Sequence, residues 1–197
     1  GRWGELKDSY RVGPKVARIL NQFSQEYLSD KGDLLESSQT ESFEPEFKWI
    51  ELDDNDDVFM QIQSLVEWLT IDKDYHLSDI IILIPDHKEG LEFVKTFQRK
   101  SIMVNHVFSD DPKWDKRNKK SFWMGDGRLK MSTIHSFKGW EILNVILLTP
   151  ENNDKLSNEV DYLLYTGISR TRSNLFVFNR LQRYTKFGSK IKSLVMN

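Results

Sequence analysis

The segment DIIILIP at residues 79–85 is a continuous apolar run of strand length that is rich in β-branched isoleucine. A strand with apolar side chains on both faces is typical of a parallel sheet covered by helices on both sides. Along the rest of the chain, amphipathic helical patterns of 10 to 15 residues alternate with short apolar strands. The sequence therefore predicts a three-layer α/β domain with a mostly parallel central sheet.

The same patterns predict where the individual elements lie. Helices are expected from Pro14, over residues 58–69 and 88–100, from Ser157 to about Thr171, and at the basic C-terminal end. Strands are expected at residues 47–52, 79–85, 102–108, 129–134, 142–149 and 175–178. The polar segment 31–46 is predicted to be a loop.

Charge is unevenly distributed along the 197 residues, although 28 basic and 30 acidic side chains give a net charge of only −2. Residues 30–57 contain eleven acids and two bases, whereas residues 112–130 contain seven bases and two acids, and residues 165–197 contain seven bases and no acid. The total charge argues against a uniformly basic nucleic-acid coat protein. Such charge blocks are often solvated faces, and they also suit a phosphate-bearing partner. Both interpretations stay open.

Several classes of protein are excluded by composition. The absence of cysteine excludes a disulfide scaffold and any cysteine-ligated metal site. The four histidines are scattered along the chain, so we expect no histidine-rich metal site. No apolar run approaches the roughly 20 residues of a membrane span, and no signal peptide opens the chain, so we expect a cytoplasmic protein without a membrane partner. Because the chain begins at Gly1 and not at methionine, we interpret it as part of a longer polypeptide; processing or a cloning scar would give the same start.

Three segments carry groups suited to chemistry: DSYR at 8–11, TIHSFKGWE at 133–141 and LLYTGISRTR at 163–172. In open α/β sheets, ligands bind at the carboxyl ends of the strands, and we expect these segments to lie there. Thr133, His135 and Lys138 supply hydroxyl, imidazole and ammonium groups that suit phosphates, and Gly139 allows close approach of the backbone. Taken alone, such a loop is common, and Arg170 would also suit the carboxyl end of a helix.

Together and in this order, the three segments resemble motifs of the second RecA-like domain of superfamily 1 helicases of the UvrD/Rep kind. TIHSFKGWE resembles the family's T-x-H-x-x-K-G-x-E segment, LLYTGISRTR resembles YVAxTRA, and DSYR resembles NYR. The resemblance spans nearly the whole chain and implies one RecA-like domain over residues 1–197. Ser9 stands where the family usually has asparagine, and Gly167 and Ser169 replace the commoner alanine and threonine.

The resemblance implies a role for each matching residue. Arg11 and Arg170 would act as arginine fingers on the terminal phosphate of ATP. Tyr10, Gly139 and Glu141 would contact the nucleotide, with Tyr10 stacked on adenine and Glu141 at the ribose. Thr133, His135 and Lys138 would contact the backbone of single-stranded DNA.

A phosphate-binding loop of the form G-x-x-x-x-G-K-[ST] is absent from the sequence. The resemblance implies that ATP and Mg²⁺ are held by a preceding RecA-like domain of the same polypeptide, so this chain alone is expected to be inactive. The predicted function is that of the C-terminal motor domain of an ATP-dependent DNA helicase or translocase, with RNA left open as a substrate. The alternative is a non-catalytic RecA-like module that binds nucleic acid or protein.

Residues 109–128 form a basic connector at the point where many relatives insert an accessory domain. Basic residues alternate there with Trp114, Phe122 and Trp123, a composition that suits single-stranded nucleic acid. A mobile, solvated loop is the other interpretation.

Overall fold

The computed structural model describes residues 8–9, 12–29, 34–37, 44–53, 55–151 and 157–196. The strands are β1 (Asp8–Ser9), β2 (Glu36–Ser37), β3 (Phe47–Glu51), β4 (Ile80–Ile84), β5 (Val104–His106), β6 (Leu129–Thr133), β7 (Ile142–Leu148) and β8 (Thr171–Asn179). The helices are α1 (Pro14–Tyr27), α2 (Val58–Ile71), α3 (His87–Arg99), α4 (Pro112–Ser121), α5 (Ser157–Ile168) and α6 (Thr185–Met196). None of the helices in these ranges is long and apolar enough to cross a membrane.

Six strands form one sheet in the order β3-β8-β7-β4-β6-β5, and every pair in it is parallel. β4 lies between β6 and β7 in the sheet, and its five side chains are completely buried. The prediction of a parallel sheet around the segment 79–85 is therefore confirmed. β1 and β2 form a separate parallel pair.

Helices cover both faces of the sheet. On one face α6 packs its Phe187 ring against Trp49 of β3, and α1 contacts both α5 and α6. On the other face the Trp68 ring of α2 lies against Phe176 of β8, and α2 contacts α3. Because Trp49 and Phe176 occupy adjacent register positions on neighbouring strands, their side chains point to opposite faces. The predicted three-layer α/β class is confirmed.

Local chemistry explains where two of the helices begin. Pro14 is the first residue of α1, where the missing backbone N–H of proline leaves no hydrogen bond unmade. The Asp57 carboxylate precedes α2 and accepts a hydrogen bond from the Met60 N–H at 3.1 Å. The sequence predictions for both helix starts are confirmed.

The prediction that the helix from Ser157 reaches Thr171 is wrong. α5 ends at Ile168, Ser169 and Arg170 form a turn, and β8 begins at Thr171, four residues before the predicted strand start. The first residues of β8 are polar, so they lack the apolar run that marks a strand. Pairing with β7 forms them into a strand, as in the pair Ile142–Thr171.

The basic connector contains a helix and is not only a loop. Its residues Pro112–Ser121 form α4, which begins with proline and is rich in lysine, a good helix former. The side chain of Asn118 donates a hydrogen bond to the Phe108 carbonyl at 2.9 Å, and the Phe122 ring is buried against Phe137. These contacts fix the helix to the end of β5 and to the segment 133–141.

An ion pair with a buried carboxylate joins α5 to the turn directly before α6. Asp161 is completely buried, and Arg183 donates two hydrogen bonds to its carboxylate at 3.1 and 2.6 Å. The Tyr184 hydroxyl donates to the same carboxylate at 2.6 Å, and burial together with this neighbouring acid raises the pKa of Tyr184 above its ordinary value. The carboxylate thereby anchors the helix whose end carries Arg170.

We expect Gly90→Ala to destabilise the domain by about 1–2 kcal/mol, as measured by urea unfolding, although alanine is a better helix former by about 1 kcal/mol. A Cβ at Gly90 of α3 would approach the ring of Phe108 to 2.4 Å, and Phe108 is only 1% exposed. Gln98→Ala, at an exposed position of the same helix, is the control and should change stability by less than about 0.5 kcal/mol. Stabilisation by Gly90→Ala would contradict the close packing.

A second prediction concerns the turn before β6. Hydrogen bonds from Arg128 hold the pKa of Asp126 at about 2, below its ordinary value of 3.8. Because the folded pKa is the lower one, the stabilisation is complete above pH 4 and is lost as the pH falls towards 2. Over that range the free energy of unfolding should fall more steeply for the wild type than for Asp126→Asn. Parallel curves for the two proteins would contradict the assignment.

Candidate functional site

The segment 133–141 runs back along the sheet, from the carboxyl ends of the strands (the carboxyl edge) to their amino ends (the amino edge). It begins at Thr133, the last residue of β6, and ends at Glu141, directly before β7. Because β6 and β7 are parallel and β4 lies between them, the connection must return from the carboxyl edge to the amino edge. One short segment therefore reaches both edges of the sheet.

Arg170 lies at the amino edge, immediately before β8. Its backbone carbonyl accepts a hydrogen bond from the N–H of Ile142, the first residue of β7, at 3.1 Å. Glu141 and Arg170 thus precede neighbouring strands at the same edge. The expectation that the site residues lie at the carboxyl ends holds for Thr133 and is wrong for Glu141 and Arg170. It failed because the segment 133–141 runs back across the sheet before β7 starts.

The carboxyl-edge part of the segment is a tight, hydrogen-bonded turn. Thr133 is only 6% exposed; its hydroxyl donates to the Ser136 hydroxyl at 3.0 Å and accepts from the Ser136 N–H at 3.1 Å. The Phe137 N–H donates to the Thr133 carbonyl at 3.1 Å. His135 and Lys138 have exposed side chains. The buried threonine thus shapes the turn, and the imidazole and ammonium groups face solvent.

Two further residues shape the rest of the segment. Phe137 is completely buried, and its ring contacts that of Phe122 with centroids 6.3 Å apart. Gly139 has φ +93°, a left-handed conformation that favours glycine, and a Cβ there would meet no atom within 4 Å. The middle of the segment is therefore fixed in the core, and the backbone at Gly139 borders open space.

The Arg170 side chain is half-buried and connects two of the predicted motif segments. It donates to the Thr166 carbonyl at 3.2 Å and to the Ser169 hydroxyl at 2.8 Å, both near the end of α5. Its Nη1 lies 3.5 Å from the carbonyl of Trp140, the residue before Glu141. These contacts orient the guanidinium, a planar and permanently charged group. Such a fixed orientation suits a group that binds phosphate.

The two small residues near Arg170 have identifiable contacts. The Ser169 hydroxyl donates to the Thr166 carbonyl at 2.8 Å and accepts from Arg170, so the hydroxyl shared by serine and threonine is used. A Cβ at Gly167 would lie 2.9 Å from Cδ1 of Leu147, because α5 packs closely on β7. Tyr10 and Arg11 lie outside the described residues, and their roles remain predictions.

A cavity of about 630 Å³, which the sequence did not reveal, lies at the carboxyl ends of β3, β4, β7 and β8. Its charged lining consists of six acids and two bases: Asp53, Asp56, Asp86, Glu89, Glu92, Glu151, Lys88 and Arg180. Arg180 binds Glu89 at 2.7 Å, and burial raises the pKa of Glu89. The excess of carboxylates disfavours a phosphate ligand, and none of the predicted site residues lines this cavity.

Asp86 in this cavity has a structural role. It ends the connection after β4, and its carboxylate accepts a hydrogen bond from the Glu89 N–H at 2.9 Å, which caps α3. Within the described ranges, no group of three or more histidine, aspartate or glutamate side chains is arranged to hold a metal ion.

The fold has counterparts among solved structures. No protein-family model matches the chain, and no curated protein matches it. The chain is similar to the crystal structure of the C-terminal domain of a possible DNA helicase from Lactobacillus plantarum WCFS1, with a TM-score of 0.54 and 15% sequence identity over 86% of each chain. At this identity the similarity concerns the fold alone, and it supports the RecA-like class without singling out the UvrD/Rep kind.

We expect Thr133→Val to destabilise the domain by about 1–2 kcal/mol, because the Ser136 N–H and hydroxyl lose their partner inside a buried turn. Hydrogen exchange of the Ser136 amide should accelerate in the same variant. Thr133→Ser is the control, since it keeps the hydroxyl and should exchange at nearly the wild-type rate. Equal exchange in the valine and serine variants would show that the hydroxyl does not hold the turn.

Proposed function

We propose that the chain serves as the C-terminal motor domain of an ATP-dependent DNA helicase or translocase. The observation that carries the proposal is the position of Arg170, held between the end of α5 and the carbonyl of Trp140, directly before Glu141. The motif resemblance assigns both Arg170 and Glu141 to ATP. The structural neighbour, itself the C-terminal domain of a possible DNA helicase, supports a helicase-domain role at the level of the fold.

The proposed nucleotide site lies at the amino edge of the sheet. ATP and its Mg²⁺ would be bound by a preceding RecA-like domain, because this sequence has no phosphate-binding loop. Arg170 and Arg11 would approach the terminal phosphate from this domain and stabilise the charge that develops during hydrolysis. Tyr10 would stack on the base and Glu141 would contact the ribose. Gly139 would let the protein backbone approach the nucleotide.

The proposed nucleic-acid site lies at the other end of the same segment. His135 and Lys138 present exposed hydrogen-bond donors, and Thr133 holds the turn from which they project. Together they would bind the phosphate backbone of single-stranded DNA. Since one segment would contact both ligands, binding of the nucleotide would alter the affinity for DNA. By thermodynamic linkage, binding of DNA would alter the affinity for the nucleotide by the same factor.

In the full-length polypeptide, Arg170→Ala should lower DNA-stimulated ATP hydrolysis by about 10³-fold or more, the effect of removing an arginine finger. Arg170→Lys should be nearly as inactive, because lysine lacks the planar fork of donors. Arg172→Ala is the matched control; it removes an exposed arginine two residues away and should retain nearly full turnover. Steady-state phosphate release measures all three, and circular dichroism verifies folding.

Two outcomes would contradict the proposal in different ways. Near-normal turnover of a folded Arg170→Ala variant would remove the arginine-finger role. A full-length wild-type protein that binds nucleic acid or protein without hydrolysing ATP would instead identify the alternative, a non-catalytic RecA-like module.

A further inference from the structure

The helix α4 and the residues after it form a fixed surface beside the segment 133–141. Asn118 is bonded to the Phe108 carbonyl, and the buried Phe122 ring contacts Phe137 in the middle of that segment. The carbonyl of Trp123 accepts hydrogen bonds from the Asn105 side chain at 3.4 Å and from the Asp126 N–H at 3.2 Å. The chain around Trp123 is therefore held on both sides.

Trp123 is 64% exposed, the highest value for an aromatic side chain among the described residues. One side of its indole lies against Gly125, where an added Cβ would come within 2.3 Å of the ring. The ring thus covers this glycine on one side, while most of its surface stays in water. An exposed indole has only two side-chain torsions to fix, so it is suited to stack on a flat apolar partner at little cost in conformational entropy.

Two exposed lysines precede this ring along the chain. Lys116 and Lys120 lie one turn apart on α4, so they share one side of the helix, and both side chains are exposed. Lys120 is three residues before Trp123. The combination of cations and an exposed aromatic ring matches a single strand, which offers phosphates and unpaired bases together, whereas duplex DNA keeps its bases stacked inside.

We propose that α4 and Trp123 form a stacking platform for single-stranded nucleic acid. One unpaired base stacks on the Trp123 indole, and Lys116 and Lys120 bind the flanking phosphates. The contact between Phe122 and Phe137 makes this platform adjacent to the turn that carries His135 and Lys138, so it extends the strand-binding surface of the proposed motor domain. In that respect the inference rests on the proposed function.

The test measures binding of a fluorescein-labelled oligo-dT to the full-length protein by anisotropy, without nucleotide. Trp123→Ala should weaken binding by about 5- to 150-fold, the loss expected for one stacked base, and Trp123→Phe should lose less. Ile71→Ala is the control; it removes another exposed apolar side chain, 77% exposed at the end of α2, and should bind as the wild type does. Equal affinity of folded Trp123→Ala and wild type would overturn the platform.

The lysines are tested through the salt dependence of the same binding. The double variant Lys116→Gln, Lys120→Gln should reduce the slope of log affinity against log salt concentration by about 1.4, since each phosphate contact to a single strand contributes about 0.7. Lys95→Gln with Lys100→Gln, two exposed lysines of α3 and its end, is the control. An unchanged slope in the α4 variant would remove the lysines from the site.

ATP hydrolysis separates a failure of this inference from a failure of the proposed function. If both hold, Trp123→Ala reaches the wild-type maximal turnover but needs more oligo-dT for half-maximal stimulation. Wild-type stimulation in Trp123→Ala at every DNA concentration overturns the platform and leaves the motor function standing. Weakened binding by Trp123→Ala in a protein without ATP hydrolysis supports the platform and overturns the motor function.

Discussion

The burial of β4 on both faces is the constraint from which the rest of the architecture follows. Its five apolar side chains are shielded from water on both faces, which requires helices over both faces of the sheet. Its backbone is paired on both sides, with β6 and with β7. A strand with that environment pairs parallel with its neighbours, and every connection must return across the sheet. The return between β6 and β7 is the segment 133–141, so the central candidate site is a product of this topology.

The sequence predicted the features that arise from local, regular patterns. The apolar run 79–85 has the signature of a doubly buried strand, and the starts of α1 and α2 follow from Pro14 and Asp57, whose effects reach only one helical turn. The approach failed where tertiary pairing decides the outcome. The polar start of β8 becomes a strand through its pairing with β7, which no periodicity in residues 171–174 indicates.

The candidate site divides in the same way. Motif order brought attention to Thr133, Glu141 and Arg170, and the fold places the latter two at one edge. The expected carboxyl edge was wrong for these two residues, because the edge depends on where the crossover ends. Nor did the sequence reveal the acidic cavity, whose lining comes from segments up to 128 residues apart, from Leu52 to Arg180, that converge only in the folded sheet. The acidic block 30–57, which supplies Asp53 and Asp56 to this cavity, also suited a solvated face, as charge runs usually do.

The two halves of the segment 133–141 are held by different contacts. Before Phe137, a buried threonine and three hydrogen bonds close a turn; after it, Gly139 sits at a positive φ beside open space, and the backbone of Trp140 is hydrogen-bonded to Phe137 and Arg170. In the proposed motor, a change of direction between the two halves would be accommodated most readily at Gly139, while the turn at 133–136 kept its shape. The turn and its His135 would then move as a rigid unit, and the distance travelled per ATP would be set by how far that unit is carried.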